Sequence, residues 1–96
     1  MRTFVLVSVG FEQPTRQIRD AWVDWFESIK AHVIDSGNPF GEVREVTRDR
    51  IKEVPRDKSA ITGYVVIRAK DMDEAVGLVK RCPIVTSMRI YEAETM

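Results

Sequence analysis

The stretch ITGYVVIRAKDMDEAVGLVKRCP, residues 61–83, reads as a strand followed by a helix. Ile61 to Ala69 is dense in β-branched and aromatic side chains, which suit a pleated, half-buried surface. Asp71 stands three residues before Glu74, the spacing of a capping box, so a helix starts there. Met72, Ala75, Val76, Leu78 and Val79 supply its apolar stripe, and Pro83 ends it.

Downstream, Ser87 to Glu94 alternates, with Met88, Ile90 and Glu92 on one side and Arg89, Tyr91 and Ala93 on the other, as in a closing strand. Upstream, Pro55 to Ser59 is a polar loop. Between Glu42 and Val54 the apolar residues Val43, Val46, Ile51 and Val54 are separated by charges without clean alternation. This segment reads as an exposed, irregular strand or ribbon turning near Arg48-Asp49. From Arg16 to about Asp35, Ile18, Trp22, Trp25, Phe26, Ile29 and Val33 recur at steps of three and four, which predicts one long helix capped by Thr15. Gly37 in a left-handed cap and Pro39 behind it would stop that helix.

Thr3 to Val9 forms the first strand, apolar on both faces: Phe4 and Leu6 on one, Val5, Val7 and Val9 on the other. The order is therefore β, α, β, β, α, β. It predicts an α+β, ferredoxin-like antiparallel sheet with two helices on one face, in one domain over residues 1–96. The other face would remain apolar, since Tyr64 and Val66 oppose Val65 and Ile67 on the third strand. A twofold-related copy is the simplest cover, so a homodimer is expected. A crossing loop or the C-terminal tail is the alternative cover, but residues 38–60 are too charged for it.

Composition narrows the function classes. Fifteen basic residues balance fifteen acidic ones, so no net field draws nucleic acid or anionic lipid. No apolar run approaches the roughly 20 residues that span a bilayer, and the apolar opening ends at Ser8, Gly10 and Glu12. Cys82 is the single cysteine, with no disulfide mate and only one histidine to join it at a metal. A soluble cytoplasmic protein without metal or cofactor is expected.

Several segments together carry a resemblance. The tryptophan-bearing first helix, the DSGNPFG turn (residues 35–41), the Gly63-Tyr64 opening of the third strand, the Asp73-Glu74-Ala75 helix start running to Cys82-Pro83, and the closing RIYEAETM resemble the YCII-related, or DGPF-type, domain over nearly the whole chain. The resemblance implies a dimeric α+β barrel. It also implies lyase-like or dehydrochlorinase-type chemistry where a histidine and aspartate pair is present, with the histidine early in the first helix. Here Trp22, Trp25 and Phe26 occupy that stretch, and Asn38-Pro39-Phe40 stands in a different loop from the Asp-Gly-Pro-Phe motif, so neither feature carries over.

His32 could serve as a general base oriented by Asp35 or Asn38, or it could simply favour the helix dipole from the helix end. Trp22, Trp25, Phe26 and Tyr64 could wall a pocket for a planar ligand, although helical spacing equally predicts core packing. Arg44, Arg68 and Arg89 lie on predicted strands. Arg68 shares a face with Tyr64 and would need a partner, Glu92 or a ligand carboxylate. Lys80 and Arg81 sit near Cys82, but at a helix end where the dipole opposes a thiolate, so the cysteine reads as packing. Asp20, Asp24 and Glu27 form a solvated helix face.

The leading expectation is a homodimer binding a small aromatic or carboxylate-bearing molecule through Trp22, Trp25, Tyr64, Arg68 and Asn38. The alternatives are a small lyase or isomerase using His32 with Asp35, and a purely structural or interaction module.

Overall fold

The structure, a computed structural model, describes residues 1–95. Its elements are β1 (Arg2–Val9), α1 (Arg16–Ile29), β2 (Val33–Asp35), β3 (Arg44–Val46), β4 (Ile51–Glu53), β5 (Ile61–Ala69), α2 (Met72–Val79) and β6 (Ser87–Ala93). Four of the strands form an antiparallel sheet in the order β2-β5-β1-β6. With β3 and β4 set aside, this is the fourth-first-third-second order of a ferredoxin-like sheet. The expected α+β class with two helices therefore stands.

Both helix starts follow from their caps. The Thr15 hydroxyl accepts from the Ile18 N–H at 3.2 Å, and the Asp71 carboxylate accepts from the Glu74 N–H at 2.9 Å. Glu74 reaches back to the Lys70 N–H at 2.8 Å, one residue beyond the Asp71 N–H of the expected box. Phe4, Leu6, Val65, Ile67 and Ala69 on one side of the sheet pack against Trp25, Ile29, Ala75, Leu78 and Val79 of the two helices. The buried Trp25 indole N–H donates to the Leu78 carbonyl at 2.9 Å, joining α1 to α2.

Two expectations require correction. The first helix ends at Ile29 rather than near Asp35. Val33 packs against the core whether it continues a helix or starts a strand, so the three-and-four spacing cannot separate the two. The β-branched pair Val33-Ile34 favours the strand. The second strand of the main sheet is accordingly β2, not the 42–54 segment. That segment folds on itself as the two-stranded β3–β4 ribbon, with Arg44 opposite Glu53 and Val46 opposite Ile51. It turns at Arg48-Asp49 as expected, closed by Thr47 N–H to the Arg50 carbonyl at 2.8 Å. Gly37 does adopt a left-handed φ of 70°, but at the exit of β2 rather than at a helix cap.

The register sorts the side chains by face. Val5 lies opposite Val66 and Tyr91, Val7 opposite Tyr64 and Arg89, and Thr3 opposite Arg68 and Ala93, all away from the helices. No described segment crosses the middle of this face, and the molecule is a slab of 41 × 40 × 18 Å. Its accessible surface is 7103 Å², against about 5,600 Å² for a compact monomer of the same mass. No helix is long and apolar enough to cross a membrane among the described residues.

Candidate functional site

The open face acquires its polar chemistry at the β2 edge. Register between β2 and β5 slips between Val33 and Asp35, so Asp35 stands opposite Val66. Without that slip Asp35 would turn toward the helices, because alternation changes face at each residue. As it is, Asp35 Oδ1 accepts from the Gly37 N–H at 2.8 Å and Oδ2 accepts from the Tyr64 hydroxyl at 3.4 Å. Phe40 stacks on the Tyr64 ring, with centroids 5.7 Å apart and planes 22° from parallel. Its own N–H bonds the Thr62 carbonyl at 2.7 Å, and Pro39 bridges to Gly63, which pins the 38–40 segment to β5. Asn38 is exposed on that segment.

His32 and Arg68 lie farther along the same edge. The Arg68 N–H donates to the His32 carbonyl at 2.8 Å, and His32 Nδ1 lies 3.0 Å from the Arg68 carbonyl. A carbonyl only accepts, so Nδ1 is the donor in this contact, and Nε2 has no hydrogen-bond partner among the described residues. The group that orients His32 is therefore the Arg68 backbone, while both Asp35 oxygens are engaged elsewhere. Arg68 is exposed and makes no salt bridge among the described residues. Glu92 is not its partner: register places Glu92 opposite Phe4 on the helix side, where it pairs with Arg2 at 3.5 Å.

The remaining candidates are dispersed. Trp25 is 3% exposed and its only polar atom is already bonded, so it belongs to the core. Trp22 is half-buried and meets Trp25 edge-on at 5.6 Å in the same aromatic cluster, which Phe26 completes. Arg44 pairs with Glu42 and Glu53 on the ribbon, and Arg89 lies beside the Tyr91 hydroxyl at 3.5 Å. Burial pushes the Cys82 thiol up to about 12, so no thiolate forms near neutrality. No three metal-binding side chains gather among the described residues.

A cleft of about 350 Å³ lies elsewhere, under the ribbon, lined by Phe40, Val43, Arg44, Val54, Arg56 and Ile61. Phe40 is the one residue that both lines it and touches the Tyr64 group. Glu45 and Asp57 also line this cleft, but none of His32, Asp35, Tyr64 and Arg68 does, so the candidate site residues gather on the open face instead. Phe40 was not among the residues singled out from the sequence. The signal available was Pro39, which fixes its own φ and keeps Asn38 extended, so that this segment can run beside β5. The Arg56 guanidinium over the Phe11 ring, 4.3 Å from its centroid, was also not foreseen.

No family model and no curated protein matches the chain. A solved structure does: the 5-chloro-2-hydroxyhydroquinone dehydrochlorinase of Burkholderia phenoliruptrix, in complex with 2,5-dihydroxybenzoquinone. The likeness has a TM-score of 0.60 at 16% identity, covering 98% of this chain and 95% of that one. At that identity it shows the fold, and the fold is consistent with the YCII-related resemblance.

Proposed function

We propose that this chain is a YCII-related protein that works as a homodimer and binds a small planar molecule, aromatic or carboxylate-bearing, against its open sheet face. The observation that carries this reading is the Tyr64–Phe40 stack, backed by Asp35, on the same uncovered face as the unbridged Arg68. Aromatic rings with a polar edge suit a planar ligand, and a free guanidinium suits its anionic group. Asn38 would meet a polar substituent at the rim. The structural neighbour holds a ring of this class, which supports the choice of ligand chemistry.

A second reading, a small lyase or isomerase, is favoured by the placement of His32, whose Nδ1 is held by the Arg68 carbonyl while Nε2 has no partner among the described residues. Titration with 2,5-dihydroxybenzoquinone and with substituted benzoates separates the two. Binding is expected, with Arg68→Gln weakening it by roughly tenfold, the scale of one charge-assisted hydrogen bond. Turnover of a halogenated hydroquinone that His32→Gln abolishes would establish the second reading. If no such ligand binds, or if Arg68→Gln binds as tightly as the wild type, the open-face site is wrong.

A further inference from the structure

We infer that the β3–β4 ribbon is a clasp that grips a second copy of this chain; the inference rests on the homodimer proposed above and specifies a part of its interface. The ribbon hydrogen-bonds only across its own two strands and the turn between them, and no ladder joins it to the main sheet. A lone two-stranded hairpin is at best marginally stable in water, and here each strand has three residues, all exposed. Contact with a second copy would add to its stability.

The ribbon's chemistry suits such a contact. Arg44 pairs with Glu42 and Glu53, and Lys52 pairs with Glu45 at 3.1 Å, so these strand charges are neutralised in place. From Glu42 to Glu53 the segment has four basic and four acidic side chains, offering no net charge to a polyanion or a basic partner. What remains is the cross-strand pair Val46 and Ile51, 71% and 67% exposed and directly opposite each other on one face. Two β-branched side chains at the tip of a projecting arm form an apolar contact without a counterpart among the described residues.

Area and continuity point to a second copy rather than to a different protein. The chain exposes about 1,500 Å² more surface than a compact monomer of its mass, well above the roughly 800 Å² that each partner contributes to a standard interface. The open sheet face and the exposed ribbon both contribute to that surface. They are continuous through Phe40, which stacks on Tyr64 of the open face and lines the cleft beneath the ribbon. A net charge of zero also removes long-range repulsion between copies. In a twofold arrangement each copy gives one arm and receives one, so the contact is made twice.

Sedimentation equilibrium of the full chain, from micromolar to submillimolar concentration, tests the clasp. The wild type is expected to dimerise. Val46→Lys with Ile51→Lys is expected to raise the dimer dissociation constant at least about a hundredfold, since four apolar contacts per dimer are lost. Val46→Thr with Ile51→Thr, which keeps strand preference, is expected to weaken it in the same direction, and circular dichroism should show each variant folded. A wild-type dimer with both double variants unchanged overturns the clasp and leaves the homodimer standing. A wild type that stays monomeric throughout overturns the homodimer, and the clasp with it.

Discussion

Replacing Trp25 by alanine is expected to remove most of this protein's stability, costing about 3–5 kcal/mol from lost packing alone. Trp25 is 3% exposed, lies between Phe4, Leu6 and the residues of α2, and is the one side chain that hydrogen-bonds the two helices together. A chain of this length has a total of roughly 5–14 kcal/mol, so the variant keeps only a small margin. Trp25→Phe separates the two contributions. It retains much of the volume but strands the buried Leu78 carbonyl, for about 1–3 kcal/mol. Urea denaturation reads both. A Trp25→Ala variant as stable as the wild type would mean that the aromatic cluster is a ligand wall rather than the core.

Gly37→Ala is expected to damage both stability and binding. Gly37 has a φ of 70°, and an added Cβ would overlap the Tyr64 carbonyl oxygen and carbon. Left-handed backbone costs alanine about 1–2 kcal/mol, and forcing β2 away from β5 adds about 1–3 more. That movement also breaks the Asp35 turn to the Gly37 N–H, which holds the carboxylate beside the Tyr64 hydroxyl. Ligand affinity should therefore fall together with the urea midpoint. Gly37→Asn is the informative companion, because asparagine tolerates the left-handed region but carries the same Cβ. If the close approach to Tyr64 dominates, asparagine fares little better than alanine. An asparagine variant equal to the wild type would show that backbone strain alone mattered.

These two positions also show what the sequence could and could not reveal. Strands β1, β5 and β6 and helix α2 were readable because each is long enough for its period to repeat and is bounded by Gly, Pro or an acidic cap. The uncovered apolar face was readable for the same reason: Val5, Val7, Tyr64 and Val66 alternate with core residues over a full strand. The exit from α1 was not readable, since Val33 meets the core in either conformation. Three residues of β2 are also too few to establish alternation. Asp35 was chosen as a partner for His32 on a helix, where the two would be neighbours. On a strand with a register slip between Val33 and Asp35, it serves Tyr64 instead. Tyr64 and Arg68 were correctly placed on one face by simple alternation. Of the two partners open to Arg68, Glu92 or a ligand carboxylate, the register removes Glu92, because cross-strand pairing is not contained in a single strand's pattern.

The proposed homodimer requires the open sheet face to meet a second copy. Val5 sits at its centre, opposite Val66 and Tyr91, and takes no part in the helix-side core. The most direct measurement is the solution mass of the wild type and of Val5→Lys by sedimentation equilibrium at matched concentrations. Twice the 11.0 kDa chain mass is expected for the wild type and 11.0 kDa for a folded Val5→Lys. A monomeric wild type, or a Val5→Lys dimer as tight as the wild type, would contradict it.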